Sequence, residues 1–198
     1  MSLKLDAVKL SAKLILPNSA VFIEPNEKVF FLAGPILGGG DWQRNAIQLL
    51  SAKVPETYVV CPCRYTSEHP LHWLSVKGES ESRWALRGLE TLPNQTLWER
   101  HYLSLASKQG AIIFWLPEED RKNPRPPETG PYARDTYGEL GEWRVRMARD
   151  RSRVVIGAQS GFPGLSVILK NYRAMVGERF APYETLESTI DAAVALAS

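Results

Sequence analysis

A charge excess of either sign is nearly absent from this chain. Its formal net charge is +2, so no global basic field argues for a nucleic-acid partner, and a small polar ligand is the default. Cysteine is scarce too. The two that occur, Cys61 and Cys63, flank Pro62 at the expected exit of a strand, where side chains two apart point the same way but a bridge would be strained. A disulfide framework is not indicated. No apolar run approaches the roughly 20 residues needed to cross a bilayer. The N-terminus, Met1-Ser2-Leu3-Lys4-Leu5-Asp6, lacks the charged-then-apolar pattern of a secretion signal. These absences lead to the expectation of a cytoplasmic protein with no membrane partner.

Several familiar chemistries are missing as motifs. The glycine-rich stretch Gly34 to Gly40 is followed by no Gly-Lys-Ser/Thr and lacks Gly-x-Gly-x-x-Gly spacing, so neither an ATPase nor a dehydrogenase is supported. There is no Gly-x-Ser-x-Gly elbow for serine chemistry. Cys61-Pro62-Cys63 followed by His69-Pro70-Leu71-His72 falls short of structural zinc spacing in both halves, and no metal site is expected. The arginines at 144, 146, 149, 151 and 153 interleave with Glu142, Met147 and Asp150, as on a solvated helix face. The sequence shows no internal repeat.

What is present is an alternation of two apolar patterns. Val29-Phe30-Phe31-Leu32-Ala33, Thr57-Tyr58-Val59-Val60-Cys61, Ala111-Ile112-Ile113-Phe114-Trp115-Leu116 and Val154-Val155-Ile156-Gly157 are short continuous runs, the signature of strands buried on both faces of a parallel sheet. Between them lie helical patterns over Asp41 to Lys53, from Asn94 through Leu105, over Asp135 to about Asp150 and over Leu165 to Met175, with a terminal helix from Thr185 to Ala197. Arg179-Phe180-Ala181 is a candidate for a further short strand. The reading is α/β, a single doubly wound, flavodoxin-like parallel sheet of about five strands with flanking helices. Residues 28–198 form the domain and residues 1–27 an N-terminal strand extension, with two short apolar runs over 7–24 read as a peripheral hairpin or edge strands. A long irregular segment runs from Pro62 to about Pro93. A loop with five prolines, Pro117 to Pro131, should run over the surface and control access to whatever lies beside it.

Two strand-to-helix turns should meet at one sheet edge, where open α/β sheets bind ligands. One is Gly34-Pro35 through Asp41, Trp42 and Gln43. The other is Thr136-Tyr137-Gly138-Glu139-Leu140-Gly141, which places a carboxylate at the first turn of a helix. Glu139 is the candidate nucleophile. The competing reading is that Thr136-x-x-Glu139 is a capping box, satisfying backbone N–H groups at the helix start. Trp98 and Glu99, on the helix before the third strand, offer an aromatic ring and a second carboxylate; core packing by Trp98 and Tyr102 is the plainer account.

Phe31-Leu32-Ala33-Gly34-Pro35-Ile36, Gly38-Gly39-Gly40-Asp41-Trp42-Gln43 and Gly138-Glu139-Leu140-Gly141, in this order, resemble the larger, divergent branch of the nucleoside 2-deoxyribosyltransferase superfamily. The resemblance implies that Glu139 attacks the anomeric carbon of a 2′-deoxynucleoside and passes 2-deoxyribose to a free purine or pyrimidine base. It places Gly34, Pro35, Asp41, Trp42, Gln43, Trp98, Glu99 and Gly138 around base or sugar, with Trp42 or Trp98 packed against the base. It implies a phosphate-free substrate, no metal or organic cofactor, and a homo-oligomer, dimer or larger, with shared sites. Where that family carries an aspartate before the nucleophile, this chain offers Asp120 or Asp135; Asp135 is the nearer to Glu139, and Asp135 or Tyr137 would protonate the departing base. Two alternatives stand beside this. One is an N-glycosidic hydrolase of nucleosides or nucleotides, with Arg44 or Arg64 for a phosphate. The other is a non-catalytic nucleoside-binding module in which Glu139 only caps its helix.

Overall fold

Runs that are apolar at every position can be buried only between two covering layers, and the chain supplies both. The computed structural model describes residues 10–17, 19–76 and 95–198. Among these residues five strands are formed: β1 (Lys13–Ile15), β2 (Val29–Ala33), β3 (Tyr58–Val60), β4 (Ala111–Leu116) and β5 (Val154–Ala158). Every residue of β2 and of β4 is buried. The strands pair in parallel throughout, in the order β1-β3-β2-β4-β5. This is the doubly wound α/β sheet, flavodoxin-like in its winding, that the apolar runs imply.

Among the described residues five helices cover the sheet: α1 (Trp42–Lys53), α2 (Gln95–Gln109), α3 (Arg134–Asp150), α4 (Leu165–Val176) and α5 (Leu186–Ala197). Alternation along β2 divides the core. Phe30 and Leu32 pack with Ala46, Ile47 and Leu50 of α1 and with Ile190 and Ala193 of α5. Phe31 points the other way, into a layer built by Trp98 and Tyr102 of α2, Leu140 and Trp143 of α3, and Tyr172 of α4. Trp98 and Tyr102 are therefore core residues, as their helical spacing implies.

Three local expectations can be compared with the structure, and one is corrected. Arg179-Phe180-Ala181 is not a strand. Pro182 follows it without an N–H to donate, and the chain meets β5 only through Tyr183, which accepts from Ala158 N at 2.8 Å and donates to Ile156 O at 2.9 Å. Of the two readings offered for residues 7–24, hairpin or edge strands, the described part gives an edge strand. Over the described part, β1 joins the main sheet parallel to β3, while Val21 is tied by backbone N–H and carbonyl to the Tyr102 hydroxyl. The irregular segment after Pro62 is described to Val76 and includes a short 3₁₀ turn, Pro70–Leu74; residues 77–94, which include the Asn94 helix start, lie outside the described residues.

The winding fixes where a ligand can bind. From β2 the chain moves to β3 on one side and then crosses to β4 on the other, so loops leaving β2 and β4 diverge and open a crevice at their C-terminal ends. Among the described residues no helix is long and apolar enough to cross a membrane.

Candidate active site

A cavity of about 430 Å³ occupies that crevice, within the usual range for small-molecule sites. Its floor is the end of β2, Phe31 and Ala33, continued by Gly34, Pro35, Ile36 and Leu37. Gln95 and Glu99 of α2 form one wall, and Arg125, Thr129 and the start of α3 form the other. Glu139, Asp135, Glu99, Gly34 and Pro35, far apart in sequence, are thus brought together.

The floor depends on a glycine. Gly34 has φ +140°, and a Cβ there would collide with the backbone carbonyl oxygen of Trp115 on β4. Only glycine lets the chain turn away from β2 so close to its neighbour strand. The Pro35 carbonyl is then held from behind by two donors on α1, Trp42 Nε1 at 2.9 Å and Gln43 Nε2 at 3.2 Å. Both side chains are buried and neither lines the cavity, so they set the floor instead of touching a ligand there. Asp41 also lies away from it, 3.5 Å from His69 Nε2 and beside a separate hollow over α1.

The expectation that an indole packs against the base is corrected. Trp42 is held on the α1 side, and Trp98 is 2% exposed, donating Nε1 to Ser19 O at 2.9 Å. Apolar surface in the cavity comes from Ile36 and Leu37, which are exposed. Tyr137 is also redirected: its hydroxyl donates to Pro163 O at 2.6 Å and its ring packs on Phe162. Gly138 is exposed outside the cavity, with open space where a Cβ would stand.

Glu139 is not spent on capping. Helix α3 starts at Arg134 with Ala133 as its N-cap, in the left-handed region at φ 58° and without a side-chain cap bond. Thr136 therefore sits inside the first turn, and Glu139 one turn in, on the second. Leu140 and Trp143, buried against the sheet, fix the helix so that the carboxylate faces the cavity. Among the described residues no side chain or backbone donor hydrogen-bonds to it. Burial, followed by the negative charges of Glu99, Asp135 and Glu142, pushes the Glu139 carboxyl up to about 7, with Arg100 opposing.

Glu99 shares this environment. Burial raises its pKa against the opposing effects of a hydrogen bond from Gln95 and the charge of Arg64. The three form a relay in which Arg64 Nε donates to Gln95 Oε1 at 2.6 Å and Gln95 Nε2 donates to Glu99 Oε1 at 2.7 Å. Asp135 also lines the cavity, with its carboxylate exposed and 3.2 Å from Arg134 Nε. Asp120, the other aspartate candidate, accepts from Lys122 N at 2.8 Å and lies outside the cavity.

The proline-rich loop forms part of the wall. It is pinned by Asp120 N donating to Gly38 O at 2.6 Å, by the Tyr132 hydroxyl donating to Pro117 O at 2.8 Å, and by Glu118 accepting from Gly161 N at 2.9 Å. Through it Arg125 reaches the cavity, a residue that sequence reasoning missed because nothing in Pro124-Arg125-Pro126-Pro127 marks an inward side chain. Gln95, Ile36 and Leu37 were missed likewise. Cys61 and Cys63 are buried free thiols on the far side of the sheet from Glu139.

A half-buried carboxylate without a hydrogen-bond donor, beside a second carboxyl of raised pKa, is suited to two-carboxyl chemistry on a substrate that develops positive charge. No protein-family model matches the chain, and comparison with curated proteins finds no match.

Proposed function

We propose that this protein transfers 2-deoxyribose between nucleobases, with Glu139 as the nucleophile. The observation that carries the reading is Glu139 itself, set in a sheet-edge cavity, without a hydrogen-bond donor and surrounded by like charge. An oxocarbenium-like transition state places positive charge on the sugar ring, and the negative charge of Glu139 and Asp135 favours it over the neutral ground state.

The chemistry runs in two displacements. A Glu139 oxygen bonds to C1′ as the C1′–N bond breaks; the base leaves with the electron pair and takes a proton. A second base then gives its ring N–H proton back to the acid that served the first step and attacks C1′ from the vacated side, the ester bond breaks and the Glu139 carboxylate is restored, with net retention. Glu99 is the better candidate proton donor than Tyr137, because it lines the cavity with a carboxyl whose pKa burial raises, while the Tyr137 hydroxyl is turned away to Pro163 O. Asp135 is placed to serve in the same role from the cavity mouth.

Incubating the protein with thymidine and adenine tests this directly. Deoxyadenosine forming faster than free 2-deoxyribose is the expected result. Free sugar as the main product at high adenine would reassign the protein as a hydrolase, and no turnover of either kind would leave a binding module.

A further inference from the structure

The glycosyl chemistry gives no role to Gln95, which lines the cavity one turn before Glu99 on α2. Its carboxamide is committed on both sides. Oε1 accepts from Arg64 Nε at 2.6 Å, and Nε2 donates to Pro62 O at 3.3 Å and to Glu99 Oε1 at 2.7 Å. The orientation of such a group is decided by what its partners are able to do. The Arg64 guanidinium offers only N–H donors and the Pro62 carbonyl only an acceptor, so an oxygen must face the first and an amino group the second. Turning the carboxamide over would set donor against donor and acceptor against acceptor. What meets Glu99 is therefore an N–H.

Two local rules build this contact. Beyond β3 the extended chain alternates, so that Cys61 and Cys63 lie in the layer shared with α1 while Pro62 and Arg64 line the cavity. Gln95 and Glu99 are four apart on one helix, where side chains meet. The exit of β3 is thus tied to the first turn of α2, and the chain of bonds ends on a carboxyl. A neutral carboxyl accepts best at its carbonyl oxygen and donates from its hydroxyl. With Oε1 holding the Gln95 N–H, the proton of a neutral Glu99 belongs on Oε2. Besides Arg64, the charged groups whose fields couple to Glu99 are Asp135 and Glu139, both on α3.

We propose that Gln95, anchored by Arg64, is a positioning residue that fixes which oxygen of Glu99 gives up the proton: Oε1 is tied to the protein, and Oε2 serves the departing base. The inference rests on the reading of Glu139 as nucleophile and Glu99 as acid. In the first displacement the Oε2–H bond breaks as an N–H bond forms on the base, which has taken the C1′–N electron pair. In the second, the acceptor base returns a proton to Oε2. Gln95 itself makes and breaks no covalent bond. Its hydrogen bond also favours the carboxylate left behind, so removing it frees Glu99 to turn and makes the carboxyl hold its proton more tightly.

The test has a titration arm and a turnover arm, both on the full chain. Gln95→Met keeps the length and helix preference of the side chain and removes its hydrogen bonds; unchanged far-ultraviolet circular dichroism shows that each variant is folded. Carboxyl carbon-13 resonances, with Glu99 assigned by its loss in Glu99→Gln, report the titration without any turnover. The Glu99 midpoint should rise by about one pH unit in Gln95→Met, the effect of losing a hydrogen bond to a charged group. It should rise by less in Arg64→Met and stay near the wild-type value in Arg64→Lys, which still donates to Gln95 Oε1. The turnover arm compares two leaving groups in single turnovers without acceptor. Thymine departs with a proton, whereas the cationic base of 7-methyl-2′-deoxyguanosine leaves neutral without one. Gln95→Met should slow thymine release at least about tenfold and 7-methylguanine release far less, since only the first needs the acid. An unmoved midpoint in folded Gln95→Met overturns the proposal. Equal slowing of the two bases, the mark of a merely structural role, also overturns it and leaves the Glu139 reading standing. A shifted midpoint in a protein that releases neither base upholds Gln95 as the group that fixes Glu99 and refutes the Glu139 reading.

Discussion

Replacing Glu139 by Gln should stabilise the protein at pH 8 and leave its stability at pH 4 nearly unchanged. The reasoning is a proton balance. In the unfolded chain the carboxyl ionises near its ordinary 4.5, whereas in the folded chain burial and the charges of Glu99, Asp135 and Glu142 raise it to about 7. Below 4.5 the group is neutral in both states and contributes no difference. Between the two values the folded chain holds the proton that the unfolded chain has released, so wild-type stability falls as pH rises, and the loss is complete once pH exceeds the folded value. Its size at pH 8 is about 3 kcal/mol, at 1.36 kcal/mol per pKa unit. Gln has nearly the same shape and cannot ionise, so Glu139→Gln escapes this cost. For a chain of this size that corresponds to a melting temperature roughly 6–12 °C higher at pH 8. Urea denaturation of both proteins at pH 4, 6 and 8 reads the difference directly. A stability difference that does not grow with pH would show that the carboxylate is already solvated or paired, and the account of a destabilised catalytic group would fail. The same substitution should abolish base exchange, so stability gained and activity lost in one variant would be the mark of a site held at a cost to the fold.

Glu99→Gln removes the like charge with the largest effect on Glu139; the ascending limb of kcat/KM, which follows ionisation of the nucleophile, should shift to lower pH, and a limb that stays in place would separate the two carboxyls. Gly34→Ala forces a side chain against the Trp115 carbonyl at φ +140° and should cost about 3 kcal/mol or more, measured as a fall in the urea midpoint. Gly138→Ala, in the interior of α3 with open space around it, should raise stability by about 0.5–1 kcal/mol. A destabilised Gly138→Ala variant would mean that the glycine faces a contact the cavity description lacks.

The fold was legible because its signal is local. Four apolar runs and the helical patterns between them dictate a covered parallel sheet, and each core strand appears within a residue or two of its run. The fifth strand was harder to place. Three residues of β1 join the sheet through register with β3, a long-range pairing that short runs do not encode, while Pro182 cuts the run at Arg179 to Ala181 down to a single bridge. Helix starts were legible in part. The terminal helix starts at Thr185 as its pattern implies, with Ser188 N donating to Thr185 Oγ1 at 3.1 Å, but Thr136-x-x-Glu139 carries a capping-box signature inside a helix whose start is set by Ala133 in the left-handed region. For the site, Glu139 and the Gly34-Pro35 turn followed from the rule that ligands gather beyond strand ends, whereas Glu99 and Asp135 came from the family resemblance. The place of the indoles followed from neither. Whether Trp42 presents its ring to a ligand or its Nε1 to the Pro35 carbonyl depends on the path of the Gly34 turn, and Arg125 depends on how a proline-rich loop folds back onto Gly38.

The most direct measurement is a rapid acid quench of the protein turning over thymidine with adenine, followed by peptide mass mapping. The account predicts a transient peptide containing Glu139 whose mass is increased by one dehydrated 2-deoxyribose, with the sugar assigned by fragmentation to the Glu139 carboxyl, absent in Glu139→Gln. Base exchange proceeding with no sugar on that peptide, or with sugar on any other residue, would contradict it.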